Sequence, residues 1–134
     1  MPTMARGTFE VTLNPLTPYN MNEGALLGRL SIDKHFHGDL EAMSQGEMLS
    51  AGTAVAGSAG YVAIERVTGT LAGKRGSFVL QHTGLMDRGA PSLVITIVPD
   101  SGTDELEGLA GTMAIIIEGG AHMYEMSYAL GAGK

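Results

Sequence analysis

Two histidines one residue apart offer the first chemistry in this chain. The stretch "KHFHGDLE", Lys34 to Glu41, carries His35 and His37 with Asp39 and Glu41 just behind them. Imidazole nitrogens and a carboxylate are the donors that grip a divalent transition metal, and residues two apart on a strand leave from one face. A third nitrogen would have to come from afar. The remaining histidines are His82, in "SFVLQHTG", and His122, which begins "HMYEMSYAL", and no spacing draws either toward the pair.

The His-x-His-x3-Glu arrangement of His35, His37 and Glu41 fits part of the first cupin motif. The flanking glycines, Gly28 and Gly46, miss the spacing of that motif by one and two residues, and no second motif follows. No metal and no cofactor are therefore expected, and His35 and His37 are the candidates should a metal bind. The face that bears Arg29, Ser31, Asp33, His35 and His37, opposite Leu30, Ile32 and Phe36, reads as the solvated side of a strand.

Acid–base chemistry has two candidates. In "GYVAIERVTG", Glu65 shares a strand face with Tyr61, Ala63 and Val67, and a carboxyl among apolar neighbours is expected to rise in pKa toward general acid or base duty. The plainer reading pairs Glu65 with Arg66 or leaves it solvated. His82 alternates with Phe78 and Leu80, so it points with them, as a hydrogen-bonded core residue or as a catalyst. Tyr124 and Tyr128 alternate with Met126 and fit either core packing or a cavity wall. The candidate set is Glu65 and His82 for catalysis, with Tyr61, Gln81, Tyr124, Tyr128 and His37 for ligand binding. No serine lies in a Gly-x-Ser-x-Gly elbow. The glycine-rich runs "GALLG" and "AGTAVAGSAG" are not followed by the helix that a nucleotide loop needs.

Positioning these groups falls to strands. The chain has 134 residues, 20 of them glycine, and a succession of period-2 segments separated by turn residues. Eight strands are expected: "ARGTFEVTL", "ALLGRLSIDKHFH", "GEMLSAGT", "GYVAIERVTGTL", "GSFVLQHTGLM", "PSLVITIVP", "GTMAIIIEG" and "AHMYEMSYAL". The "GDLE" of the opening stretch reads as the turn into the third. In "DSGTDELEGLAG", Thr103 is expected to cap one helical turn that begins with Asp104 and Glu105. Eight antiparallel strands without helices to cover them fit a closed barrel better than a sandwich, since closure removes apolar sheet edges. One domain, residues 1–134, is expected.

Composition excludes several partners. The net charge of −6, eight scattered basic residues and an aromatic content of 5% without Trp disfavour nucleic acid. The chain lacks Cys, a signal-peptide pattern and any apolar run of membrane-spanning length, so a cytoplasmic protein with no membrane contact is expected. The strand "PSLVITIVP" is apolar on both faces, with Leu93, Ile95 and Ile97 on one and Val94 and Val98 on the other. A second subunit is expected to cover part of the outer wall, a homo-oligomer with a dimer as the default.

The strings "KHFHGDLE", "SFVLQHTG" and "VPDSGTDELEGLAGTM", followed by the tyrosine-bearing last strand, resemble an uncharacterised bacterial family of small single-domain proteins. Its fold is similar to the allene oxide cyclase barrel, an architecture shared with plant dirigent proteins. The resemblance runs from about Ala5 to Leu130. It implies an eight-stranded antiparallel barrel with a central cavity, often oligomeric, and no particular reaction. Three functions follow as expectations: a barrel that binds a small hydrophobic molecule, an isomerase or cyclase using Glu65 or His82 as acid or base in the same cavity, or an interaction module with a filled lumen.

Overall fold

The computed structural model describes residues 2–20 and 26–131. Its strands are β1 (Thr3–Leu16), β2 (Leu26–Gly38), β3 (Leu40–Gly52), β4 (Ala59–Leu71), β5 (Lys74–Asp87), β6 (Ala90–Ile97), β7 (Ala110–Glu118) and β8 (Ala121–Ala129). Each pairs antiparallel with its sequence neighbour, and β8 returns to β1, so the expected eight-stranded barrel closes. Ala25, placed in the expected second strand, lies outside the described residues.

β1, β3 and β5 run longer than their patterns suggested, β1 and β3 most of all. Only Asp39 separates β3 from β2, so Leu40 and Glu41 already belong to the strand, and so does Ser44. The ladders from β1 through β5 proceed one to one without a slipped pair, which keeps alternation intact along each strand. In β2, Ile32, Lys34 and Phe36 are buried while Asp33 and His35 are exposed. In β4 the inward set includes Ala63, Glu65 and Val67, and in β5 it includes Phe78, Leu80 and His82.

The lumen has two unlike halves. Toward the end where the β2–β3 and β4–β5 turns lie, it is packed by Phe9, Phe36, Leu40, Leu71, Phe78, Tyr124 and Met126. Leu106 and Leu109, each 1% exposed, join this core from the segment before β7. Toward the other end, residues of inward parity keep solvent contact: Leu13 is 45% exposed and Leu93 43%. One end of the barrel is plugged and the other is open.

The segment between β6 and β7 holds the only helical element among the described residues, a 3-10 turn at Asp104–Leu106. Thr103 precedes it but makes no capping hydrogen bond. Its hydroxyl instead accepts from the Ser77 amide at 3.0 Å. The reason is a vacancy in the sheet. β6 ends opposite Leu80, so the earlier residues of β5, paired with β4 on one side, lack a β6 partner on the other, and Glu105, Thr103 and Ser101 side chains receive the amides of Arg75, Ser77 and Val79. The thinnest seam in the wall is nearby, where β6 and β7 share two residue pairs.

Candidate functional site

The packed and open halves meet at a buried polar layer. Glu65 is 0% exposed and points inward from β4 opposite Gly46 of β3. Glycine is required there, because a Cβ on Gly46 would lie 2.0 Å from the Ile64 carbonyl oxygen and 2.6 Å from the Glu65 Cα. Lys34 of β2 donates from Nζ to Glu65 Oε1 at 2.8 Å, and His82 of β5 donates from Nε2 to the same oxygen at 2.7 Å. The Ser44 hydroxyl of β3 donates to Oε2 at 2.5 Å. Four strands each supply one member.

The layer is electrostatically complete. No buried polar side-chain atom among the described residues lacks a partner. The Lys34 ammonium also lies 5.1 Å from the centroid of the Phe9 ring and 5.7 Å from that of Phe36, which form its floor. Burial by itself would raise the Glu65 carboxyl. The hydrogen bond from His82, the charge and hydrogen bond of Lys34 and the hydrogen bond from Ser44 outweigh it and hold the group at about 2. The sequence-based expectation of a raised carboxyl is thus reversed, since Glu65 has charged and polar neighbours from other strands. Arg66 is not its partner; it faces outward and donates to the Ser77 hydroxyl at 3.2 Å.

Because an ionised carboxylate only accepts, His82 must carry a hydrogen on Nε2. Its Nδ1 has no partner among the described residues and is not sealed from solvent. Directly above, Ala63 pairs with His82 and Tyr61 pairs with Gly84. The Tyr61 ring lies across Gly84, where an added Cβ would come within 2.3 Å of ring carbon Cε1, and its centroid is 6.5 Å from that of His82. Burial, then the nearby Glu65 charge, raise the Tyr61 hydroxyl above its usual range. Over this ring opens a cavity of about 560 Å³, lined by Leu30, Met48, Tyr61, Gly84, Met86 and Leu93 among others.

The other residues singled out from sequence divide by strand face. Tyr124 and Tyr128 are inward and buried in the packed half. The Tyr124 hydroxyl accepts from the Leu40 amide at 2.9 Å and reaches the His37 carbonyl at 3.0 Å, clasping the β2–β3 turn. Burial leads the causes that raise its pKa. Gln81 is exposed on the outer wall, as a residue adjacent to inward His82 must be. His37 is outside as well, with Nε2 3.0 Å from Glu10 Oε1, and the Glu10 hydrogen bond leads the causes that raise its pKa. Neither Gln81 nor His37 reaches the cavity. Sequence reading passed over Lys34 and Ser44. Lys34 was detectable, since it stands at the alternate position between Ile32 and Phe36. Ser44 was hidden by the unrecognised first half of β3.

A family model described as "Protein of unknown function (DUF3224)" matches residues 5–128. The crystal structure of a protein of unknown function from the DUF3224 family, from Shewanella oneidensis MR-1, is 54% identical and superposes with a TM-score of 0.95. The match covers 99% of this chain and 100% of that one. No curated protein matches the chain.

Proposed function

Since this chain belongs to the DUF3224 family of proteins of unknown function, we propose from its own geometry that the barrel binds a small hydrophobic molecule in the open half of its lumen. The observation that carries this reading is the apolar cavity lined by Tyr61, whose ring centroid lies 6.5 Å from that of His82 in the buried Lys34–Glu65–His82–Ser44 layer. Replacing a buried ion pair by apolar side chains of similar volume is often neutral or stabilising, so stability alone does not account for the layer. Its cost is understandable where a ligand needs an oriented polar contact. Tyr61, which lines the cavity with Leu30, Met48 and Leu93, offers its hydroxyl to a ligand, and the His82 ring lies 6.5 Å from it, centroid to centroid. The apolar cavity and the buried polar layer support this reading over an interaction module with a filled lumen.

An isomerase or cyclase reading rests on one further feature: Glu65 orients His82 through Nε2, as a carboxylate orients an imidazole in acid–base catalysis. Glu65, held near 2 and fully engaged, is poorly placed to shuttle protons near neutral pH, so His82 is the acid or base in this reading. Likeness to the allene oxide cyclase barrel supports it by fold analogy alone. We also retain a homo-oligomer, a dimer by default, acting in the cytoplasm. Supporting the oligomer is an outward row of cross-strand neighbours, Leu49, Val62, Thr83 and Val94, with Val94 59% exposed. No helix among the described residues is long and apolar enough to cross a membrane.

Native mass spectrometry of protein purified from its own host, with Gly84→Leu beside it, tests the binding reading. A retained small molecule in the parent, absent from the variant, is expected. A parent that retains no ligand and does not take up hydrophobic fluorophores would overturn it.

A further inference from the structure

Outside the lumen, the polar face of β2 carries a second cluster that the cavity does not use. His35 and His37 leave this face two residues apart, with ring centroids separated by 4.2 Å. Glu10 of β1 stands opposite His35 in the β1–β2 ladder and reaches diagonally to His37. One donor atom from each of Glu10, His35 and His37 falls within 4.8 Å of the others. His37 presents Nε2 to Glu10 at 3.0 Å and Nδ1 to Glu41 Oε1 at 3.8 Å.

We propose that Glu10, His35 and His37 form a binding site for one divalent transition-metal ion on the outer wall, of the zinc, copper or nickel class. Two imidazoles and one carboxylate select these borderline metals over magnesium and calcium, which favour all-oxygen shells. The spacing is compatible. Tetrahedral bonds of about 2.0–2.2 Å place neighbouring donors roughly 3.3–3.6 Å apart. The His37–Glu10 pair would open by a few tenths of an ångström from 3.0 Å, and the metal would replace the proton that pair now shares. His35 and Glu10 are exposed, so both can turn toward the ion without repacking a core. Glu41, near the other nitrogen of His37, would fix the ring as an outer partner.

The wall beside the cluster leaves the ion reachable. A groove of about 540 Å³, lined by Glu10, Thr12, Asp33, His35, Gln45 and Arg66 among others, adjoins two of the three donors. Water or an exchangeable anion can complete the coordination from there. The site lies on the opposite face of the sheet from Lys34 and Glu65, so its success or failure is independent of the lumen reading.

The test is calorimetric titration of the whole, chelator-treated protein with zinc sulfate, alongside His35→Asn, His37→Asn, the variant carrying both substitutions, and Glu41→Gln. One zinc per chain is expected. Either histidine substitution should weaken binding by roughly tenfold or more, and Glu41→Gln by less than either histidine substitution. Absence of saturable zinc binding, or binding unchanged in a folded variant lacking both histidines, would overturn the assignment.

Discussion

Glu65→Gln tests the polar layer most directly. The substitution keeps the shape of the side chain and removes its charge, leaving the Lys34 ammonium, 6% exposed, without a counter-ion. Breaking a buried pair from one side costs about 3–5 kcal/mol. The carboxyl gives an independent scale: its fall from 4.5 to about 2 corresponds to about 3 kcal/mol. The two routes agree on the order. Because the folded value lies below the unfolded one, this stabilisation is complete above about pH 4.5 and is lost as pH falls through 2. Urea unfolding followed by far-ultraviolet circular dichroism should therefore show Glu65→Gln about 3–5 kcal/mol less stable than the parent near neutral pH. That gap should narrow steadily between pH 4.5 and 2. Combining it with Lys34→Met, which removes the stranded charge, should recover a large part of the loss. A gap under about 1 kcal/mol, a gap that ignores pH, or a double variant no better than Glu65→Gln would refute this account of the layer.

Two other outcomes follow from the scaffold. Tyr124→Phe removes the hydroxyl that accepts from the Leu40 amide, and should cost about 1–3 kcal/mol by chemical denaturation with faster amide exchange at Leu40. Hydrogen exchange should also show the β6–β7 seam, with its two pairs, opening before the long β3–β4–β5 ladders; equal protection across the barrel would contradict this.

Much of the wall was legible in the sequence because alternation is a local property. Tyr61, Ala63, Glu65 and Val67 share a face in any regular strand, as do Phe78, Leu80 and His82, and both faces prove to be inward. The same rule could have excluded Gln81, since a neighbour of His82 must point the other way. It could also have marked Lys34, which sits in phase with Leu30, Ile32 and Phe36. The helical turn near Thr103 was readable, but its missing cap was not. The hydroxyl is claimed by β5, and that edge is open only because β6 is short.

By itself, then, the sequence determined eight strands, their alternation and the turns that make them neighbours, all interactions of short range along the chain. Tertiary structure decided which charges meet. Lys34, Ser44, Glu65 and His82 come from four strands, and only closure and register bring them within hydrogen-bond reach. The pair in "KHFHGDLE" was settled in the same way. With Ile32, Lys34 and Phe36 turned to the lumen, His35 and His37 had to face outward, where Glu10 of the adjacent strand waits opposite.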